Sequence, residues 1–310
     1  MPCICYVPKN FREDKLELIE QINDVVNTYT MQGYTLTLRQ LYYQLVARGI
    51  IENTQRSYKN VGNLINDARL AGLIDWKAIE DRTRNLKGLT HWENPQQIIR
   101  SASYQYKKDL WKEQNYHLEV WVEKEALAEV VAKASQPFDV DYFCCRGYVS
   151  QSEMWESAQR LVRHCNHGKN CVIIHLGDHD PSGIDMSRDI EERLQLFGSQ
   201  DGGRTFDNHF LGLRRIALNM DQIEEFNPPP NPAKITDTRA KSYIEKFGDE
   251  SWELDALEPK VITELISDTI TEYANEKIME EVRDRVEKEK QVMNLICDDW
   301  NNLYGLYSNR

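Results

Sequence analysis

The chain has 310 residues, 41% of them hydrophobic, about twice the length of one typical domain and enough to bury about 75% of its unfolded surface. Its 38 Lys and Arg stand against 50 Asp and Glu, a net charge of −12, which argues against a polyanion binder acting through its whole surface and leaves any nucleic-acid role to a local basic patch. Apolar runs of only a few residues, and a start (MPCICYVPKNFRED) with neither a basic beginning nor a long apolar stretch, argue against a membrane span or a signal peptide. With seven Cys read as reduced thiols, a soluble protein of the cytoplasm or nucleoid is expected.

The charge is uneven. Residues 1–117 hold 16 basic and 13 acidic side chains, and the remainder 22 and 37, so the first third is positive and the rest strongly negative. Within that third, Leu16, Ile19, Ile22, Val25, Val26 and Tyr29 recur at helical spacing. Thr37 caps a second helix that Gly49 ends, and a third runs over about 57–70 with Gly72 closing it. The stretch 81–88, carrying Arg82, Arg84 and Lys87, reads as the wing of a winged helix and as the DNA contact, and Asn94-Pro95 opens the next helix.

From His117 the pattern changes to short apolar strands at 118–122, 140–144, 172–176 and 210–217. Helices alternate with them at 124–134, at 151–165 behind a Ser150/Glu153 capping box, and at 182–197 behind Pro181. This alternation predicts a mainly parallel α/β sheet whose ligands gather at the carboxyl ends of the strands. The Pro-rich link 228–232 leads into a mostly helical tail ending in a long helix from about Pro259.

Acidic residues mark two of those strand ends. The strand LEVWV delivers Glu123, and VIIHL runs through Gly177 into Asp178-His179-Asp180-Pro181. Carboxylates two apart in extended chain point the same way, and with Glu123 they form an oxygen-only set suited to Mg2+. Asp180 before Pro181 also reads as a helix cap. On the helix at 38–48, Leu38, Leu41, Tyr42 and Leu45 form one stripe, with Arg39 and Tyr43 on its flank. Tyr42 is expected in the core and Tyr43 facing solvent. A phenol with a pKa of about 10 needs a cation or base beside it to attack phosphate, and Arg39 supplies positive charge. His164, Cys165, His167 and Cys171 fit no familiar zinc spacing, and Cys144-Cys145 reads as core.

Glu123 after one strand, DHDPSG after another and RQLYYQLV before both resemble the A subunit of DNA topoisomerase VI and its relatives, the meiotic double-strand-break proteins. The resemblance continues through RRIALNMDQIEEF, PPPNPAKITDTRA and WELDALEP and covers roughly residues 35–270. It implies a helical, tyrosine-bearing winged-helix domain (1–114), a Toprim α/β domain (115–227), and a Toprim extension with a helical C-terminal segment (228–310). It further implies Tyr43 as nucleophile, Arg39 one turn before it, and Glu123, Asp178 and Asp180 as the acids that hold magnesium, with Glu123 counted among the catalytic groups. The family acts on double-stranded DNA as a homodimer in which the tyrosine of one subunit meets the metal site of the other, leaving 5′-phosphotyrosyl ends. A separate ATPase (B-type) subunit is the implied partner, although no segment that docks one is matched, and no Gly-x-x-x-x-Gly-Lys-Ser/Thr loop is present. Two other readings remain at this level. One is a Toprim nuclease in which water attacks; the other is a DNA-binding scaffold without catalysis.

Overall fold

The N-terminal third begins with α1 (Glu13–Met31), whose apolar stripe Ile19, Ile22, Val25, Val26 and Tyr29 is buried as its spacing predicts. The computed structural model describes residues 3–80, 89, 91–199, 206, 209–233 and 239–308. After α1, β1 (Leu36–Thr37) runs directly into α2 (Leu38–Ala47), where Thr37 and Gln40 form a reciprocal capping box. Helix α3 (Gln55–Leu70) starts two residues before its expected position because the Thr54 hydroxyl accepts the Ser57 amide. A short β2 (Ile79–Glu80) pairs in parallel with β1, and the apolar faces of α1, α2 and α3 close one core around Ile22, Leu41, Leu45 and Ile65. The expected wing, with Arg82, Arg84 and Lys87, lies outside the described residues. Helix α4 (Pro95–Gln105) opens at Asn94-Pro95 as expected.

The second part is built on β3 (Tyr116–Val122), α5 (Ala128–Ser135), β4 (Asp141–Cys144), α6 (Gln151–Asn166), β5 (Asn170–Leu176), α7 (Pro181–Gly198) and β6 (Phe210–Ala217). All three strand pairings are parallel, in the order β4-β3-β5-β6. Side chains alternate across the sheet. Leu118, Val120, Val122 and Ile174 face one core, while Trp121, Cys171 and Ile173 face another under α6 and α7. The chain leaves β3 toward β4 on one side and returns to β5 on the other. The crevice at the carboxyl ends of β3 and β5 is therefore a topological switch point.

The tail holds α8 (Met220–Phe226), β7 (Asn231–Pro232), α9 (Ala240–Phe247), β8 (Glu250–Ser251) antiparallel to β7, α10 (Pro259–Tyr273), α11 (Glu276–Asp298) and α12 (Trp300–Ser308). The long helix expected from Pro259 is broken at Ala274, and the side chain of Asn275 caps the new start by accepting the Ile278 amide. Ile262, Ile266 and Ile270 of α10 enter the same core as Val120 and Ile174, so this part of the tail covers one face of the sheet. Among the described residues no helix is long and apolar enough to cross a membrane.

Candidate active site

The β3/β5 switch point opens into a cleft of about 820 Å3. Arg39, Tyr42 and Tyr43 of α2 line it on one side, Glu123, Asp178 and Asp180 on the sheet side, and Tyr58 and Lys59 of α3 at its mouth. The two constellations read from the sequence therefore share one cleft within a single chain, where the family resemblance implies that two subunits bring them together.

Each acid is held by the local fold. The Asp178 amide donates to Glu123 Oε2 at 2.9 Å, tying the end of β5 to the end of β3. Asp178 is buried; its Oδ1 accepts the Leu254 amide at 2.8 Å and its Oδ2 lies 2.8 Å from Lys124 Nζ. Asp180 caps α7, accepting the Gly183 amide at 2.6 Å, so the cap reading of this residue holds alongside its place in the cleft. Arg215 on β6 fastens this loop from behind, donating to the carbonyl oxygens of Gly177, Asp178 and Gly183 at 2.9, 2.7 and 3.1 Å. At Gly183 a Cβ would stand 2.2 Å from the Asp178 carbonyl oxygen, so no side chain fits there without moving the loop.

Among the described residues, the carboxylates that come within 4.8 Å of one another are Asp178, Glu253 and Asp255. Of the expected trio only Asp178 belongs to that cluster; Glu123 and Asp180 stand beside it in the cleft. The ammonium of Lys124 lies among the three, 2.8 Å from Asp178, 2.5 Å from Glu253 and 3.1 Å from Asp255. Arg39 pairs with Glu253 and, through Nε, with Asp255 at 2.9 Å. The expected approach of Arg39 to Tyr43 is present only at longer range, with the guanidinium carbon 5.8 Å from the ring centroid.

Both tyrosines are buried: Tyr43 is 5% exposed and Tyr42 4%. The expectation that Tyr43 faces solvent fails because the turn at 254–256 folds across α2 and seats Ala256 against both rings. A helical wheel carries no information about a segment more than 200 residues away. The hydroxyls differ more than the rings do. Tyr42 donates to Asn53 Oδ1 at 3.0 Å or to the Thr54 carbonyl at 3.1 Å, whereas Tyr43 lines the cleft together with Asn231.

Burial dominates the electrostatics. It pushes the Asp178 carboxyl up to about 7 against the pull of Lys124, with Glu123 adding to the rise, and it raises Glu123 as well. Burial, then Glu253 and Asp255, push the Tyr43 phenol up to about 12. Burial would also raise Glu253, but Lys124 and Arg39 hold it down to about 2. Lys124 resists the cost of burial because Asp178, Asp255 and Glu253 surround it, and its pKa is raised. Once all are ionised, five carboxylates face three cations, Arg39, Lys124 and the half-buried Arg215, an excess of two negative charges, and burial resists that full ionisation at Asp178 and Glu123. One hard divalent cation would cancel that excess, and the donors are all oxygen, which fits magnesium.

Lys124, Arg215, Asn231, Glu253 and Asp255 were not among the expected site residues. Their signals in sequence are faint: Lys124 adjoins Glu123, and Glu253 and Asp255 repeat the two-residue spacing of Asp178 and Asp180. Comparisons with protein-family models, with curated proteins and with solved structures find no match to this chain.

Proposed function

We propose that the chain is a magnesium-dependent DNA-cleaving protein of the topoisomerase VI A-subunit kind, a winged helix joined to a Toprim domain and its extension, with Tyr43 as nucleophile. One observation carries this reading: Tyr43 and Arg39 line the same cleft as Glu123, Asp178 and Asp180 at the switch point of a parallel sheet. Glu123 and Asp180 would be the main holders of the ion, which would supply positive charge to the oxygens of the scissile phosphate. The Tyr43 hydroxyl would attack phosphorus in line, forming a phosphotyrosyl bond as the bond to the 3′ oxygen breaks. The phenolic proton leaves Tyr43, and the departing 3′ oxygen takes up a proton to become a hydroxyl. Arg39 provides a guanidinium one turn away for the phosphate, once its hold on Glu253 and Asp255 is relaxed. Two copies acting on opposite strands would make a double-strand break, and an ATPase partner would be needed for strand passage.

A hydrolytic nuclease is the second reading, and the phenol pushed up to about 12 in a buried seat favours it. Supercoiled plasmid incubated with the chain and Mg2+, with and without protease before denaturing electrophoresis, tests both. Transesterification predicts protein attached to DNA 5′ ends and no cleavage by Tyr43→Phe. Cutting by Tyr43→Phe at a comparable rate, with wild-type products free of protein, would establish hydrolysis instead.

A further inference from the structure

We infer that Lys124 sets the number of divalent ions the cleft accepts. Asp178, Glu253 and Asp255 bring their oxygens together as a metal cage does, yet the position among them is taken by the Lys124 ammonium, within 3.1 Å of all three. An ammonium offers one charge and three donors, and three carboxylate oxygens satisfy it. Arg39 shares Glu253 Oε2 with the lysine and takes the other oxygen of Asp255. Asp178 is engaged on both oxygens, by the Leu254 amide and by Lys124. Among the described residues, the cleft carboxylates with no ion pair are Glu123 and Asp180, each with one oxygen held by a backbone amide. The three caged carboxylates keep one negative charge against Lys124 and Arg39, Glu123 and Asp180 add two, and Arg215 behind the loop offsets one, so the excess of two lies mainly at Glu123 and Asp180, where one divalent ion completes the neutralisation. A second ion would have to enter the Lys124 basin and would bring its charge against a half-buried ammonium. The cleft is thus a one-ion site with an internal lysine in place of the second ion. This rests on the reading of the cleft as a magnesium site, and the test separates the two.

Mn2+ binding to the full chain, counted by electron paramagnetic resonance of the free ion, gives the stoichiometry without any cleavage assay. The wild type is expected to bind about one ion per chain, Lys124→Met about one more, and Lys124→Arg the same as wild type, because Arg restores the cation. In the wild-type background Glu253→Gln should change the affinity less than about threefold, whereas Glu123→Gln should weaken it about tenfold or more. A wild type that binds no ion would overturn the magnesium reading, while a gain in Lys124→Met would still uphold the role of the lysine. No gain in folded Lys124→Met, or loss of the wild-type ion in Glu253→Gln, would overturn the inference. If Lys124→Met does not fold, as circular dichroism would show, the Glu253→Gln arm decides alone.

Discussion

At the scale of single residues, Asp178 is the most consequential group because its environment works against its charge. Its carboxyl is pushed up to about 7 from an ordinary value of about 3.9, so between those limits the folded chain holds a proton that the unfolded chain has lost. The metal-free protein should therefore lose stability as pH rises from about 4 to about 7. Glu253, held down to about 2, acts in the opposite sense and only below about pH 4.5. A divalent ion near Asp178 favours its ionised form, so the gain in Tm on adding Mg2+ should be larger at pH 7.5 than at pH 5.5. Thermal melts at the two pH values, with Mg2+ or a chelator, check this, and an equal gain at both would place the ion away from Asp178. The two tyrosines make a second contrast at this scale. Tyr42→Phe removes a hydroxyl bonded to Asn53 or Thr54 and should cost about 1 kcal/mol in urea unfolding while leaving cleavage chemistry near normal. Tyr43→Phe removes a hydroxyl that lines the cleft, so on the proposed mechanism it should cost less in stability and remove cleavage altogether.

At the scale of elements, the parts legible in sequence are those governed by short-range physics. Thr37, Ser150 and Asn94-Pro95 mark true helix starts, and the four strands of the sheet lie where the apolar runs put them. Glu123 and Asp178 are legible because a strand end is itself a local signal. Glu253 and Asp255 are not, because they sit in and beside a single short turn, with no periodicity to mark them, and reach the site only through the packing of that turn on α2. The burial of Tyr43 is hidden for the same reason. The break between α10 and α11 is hidden because Asn275 reads as an ordinary helix-surface residue until its capping bond is seen. The start of α7 shows how tightly an element can be bound to a site. Gly183 lies in its first turn, capped by Asp180 and with its carbonyl held by Arg215. An Ala there would place its Cβ 2.2 Å from the Asp178 carbonyl oxygen and 3.1 Å from Glu123 Oε2. Gly183→Ala should therefore cost about 1–3 kcal/mol in urea unfolding and also weaken Mn2+ binding, since relief of the clash moves Asp178 itself. A stability loss with unchanged Mn2+ affinity would mean that the loop yields elsewhere and that the acids are not held to one geometry by this close approach.

At the scale of the whole molecule, the division of charge bears on where DNA would approach under the proposed function. The first third is positive by three and the rest negative by fifteen, and the cleft holds two more carboxylates than cations. A phosphate backbone meets repulsion over most of this surface, so affinity should come from the N-terminal part, with the divalent ion easing the last approach to the acids. Lys59 stands at the cleft mouth on α3, in line with that approach. Arg82, Arg84 and Lys87 stand within six residues in the same third with no acidic residue among them. Replacing all three with Ala should weaken DNA binding and flatten the plot of log K against log salt by roughly one unit for each phosphate that is no longer neutralised. Lys288→Ala, on the exposed face of α11 in the acidic part, should leave the slope unchanged. Fluorescence anisotropy with a short duplex over a range of salt concentrations measures both, at fixed Mg2+ so that the ion does not itself alter the slope. A triple variant with the wild-type slope would move the DNA-binding surface off the 81–88 stretch. A Lys288→Ala variant that flattened the slope would move it to α11, none of whose residues lines the cleft with Tyr43 and the acids.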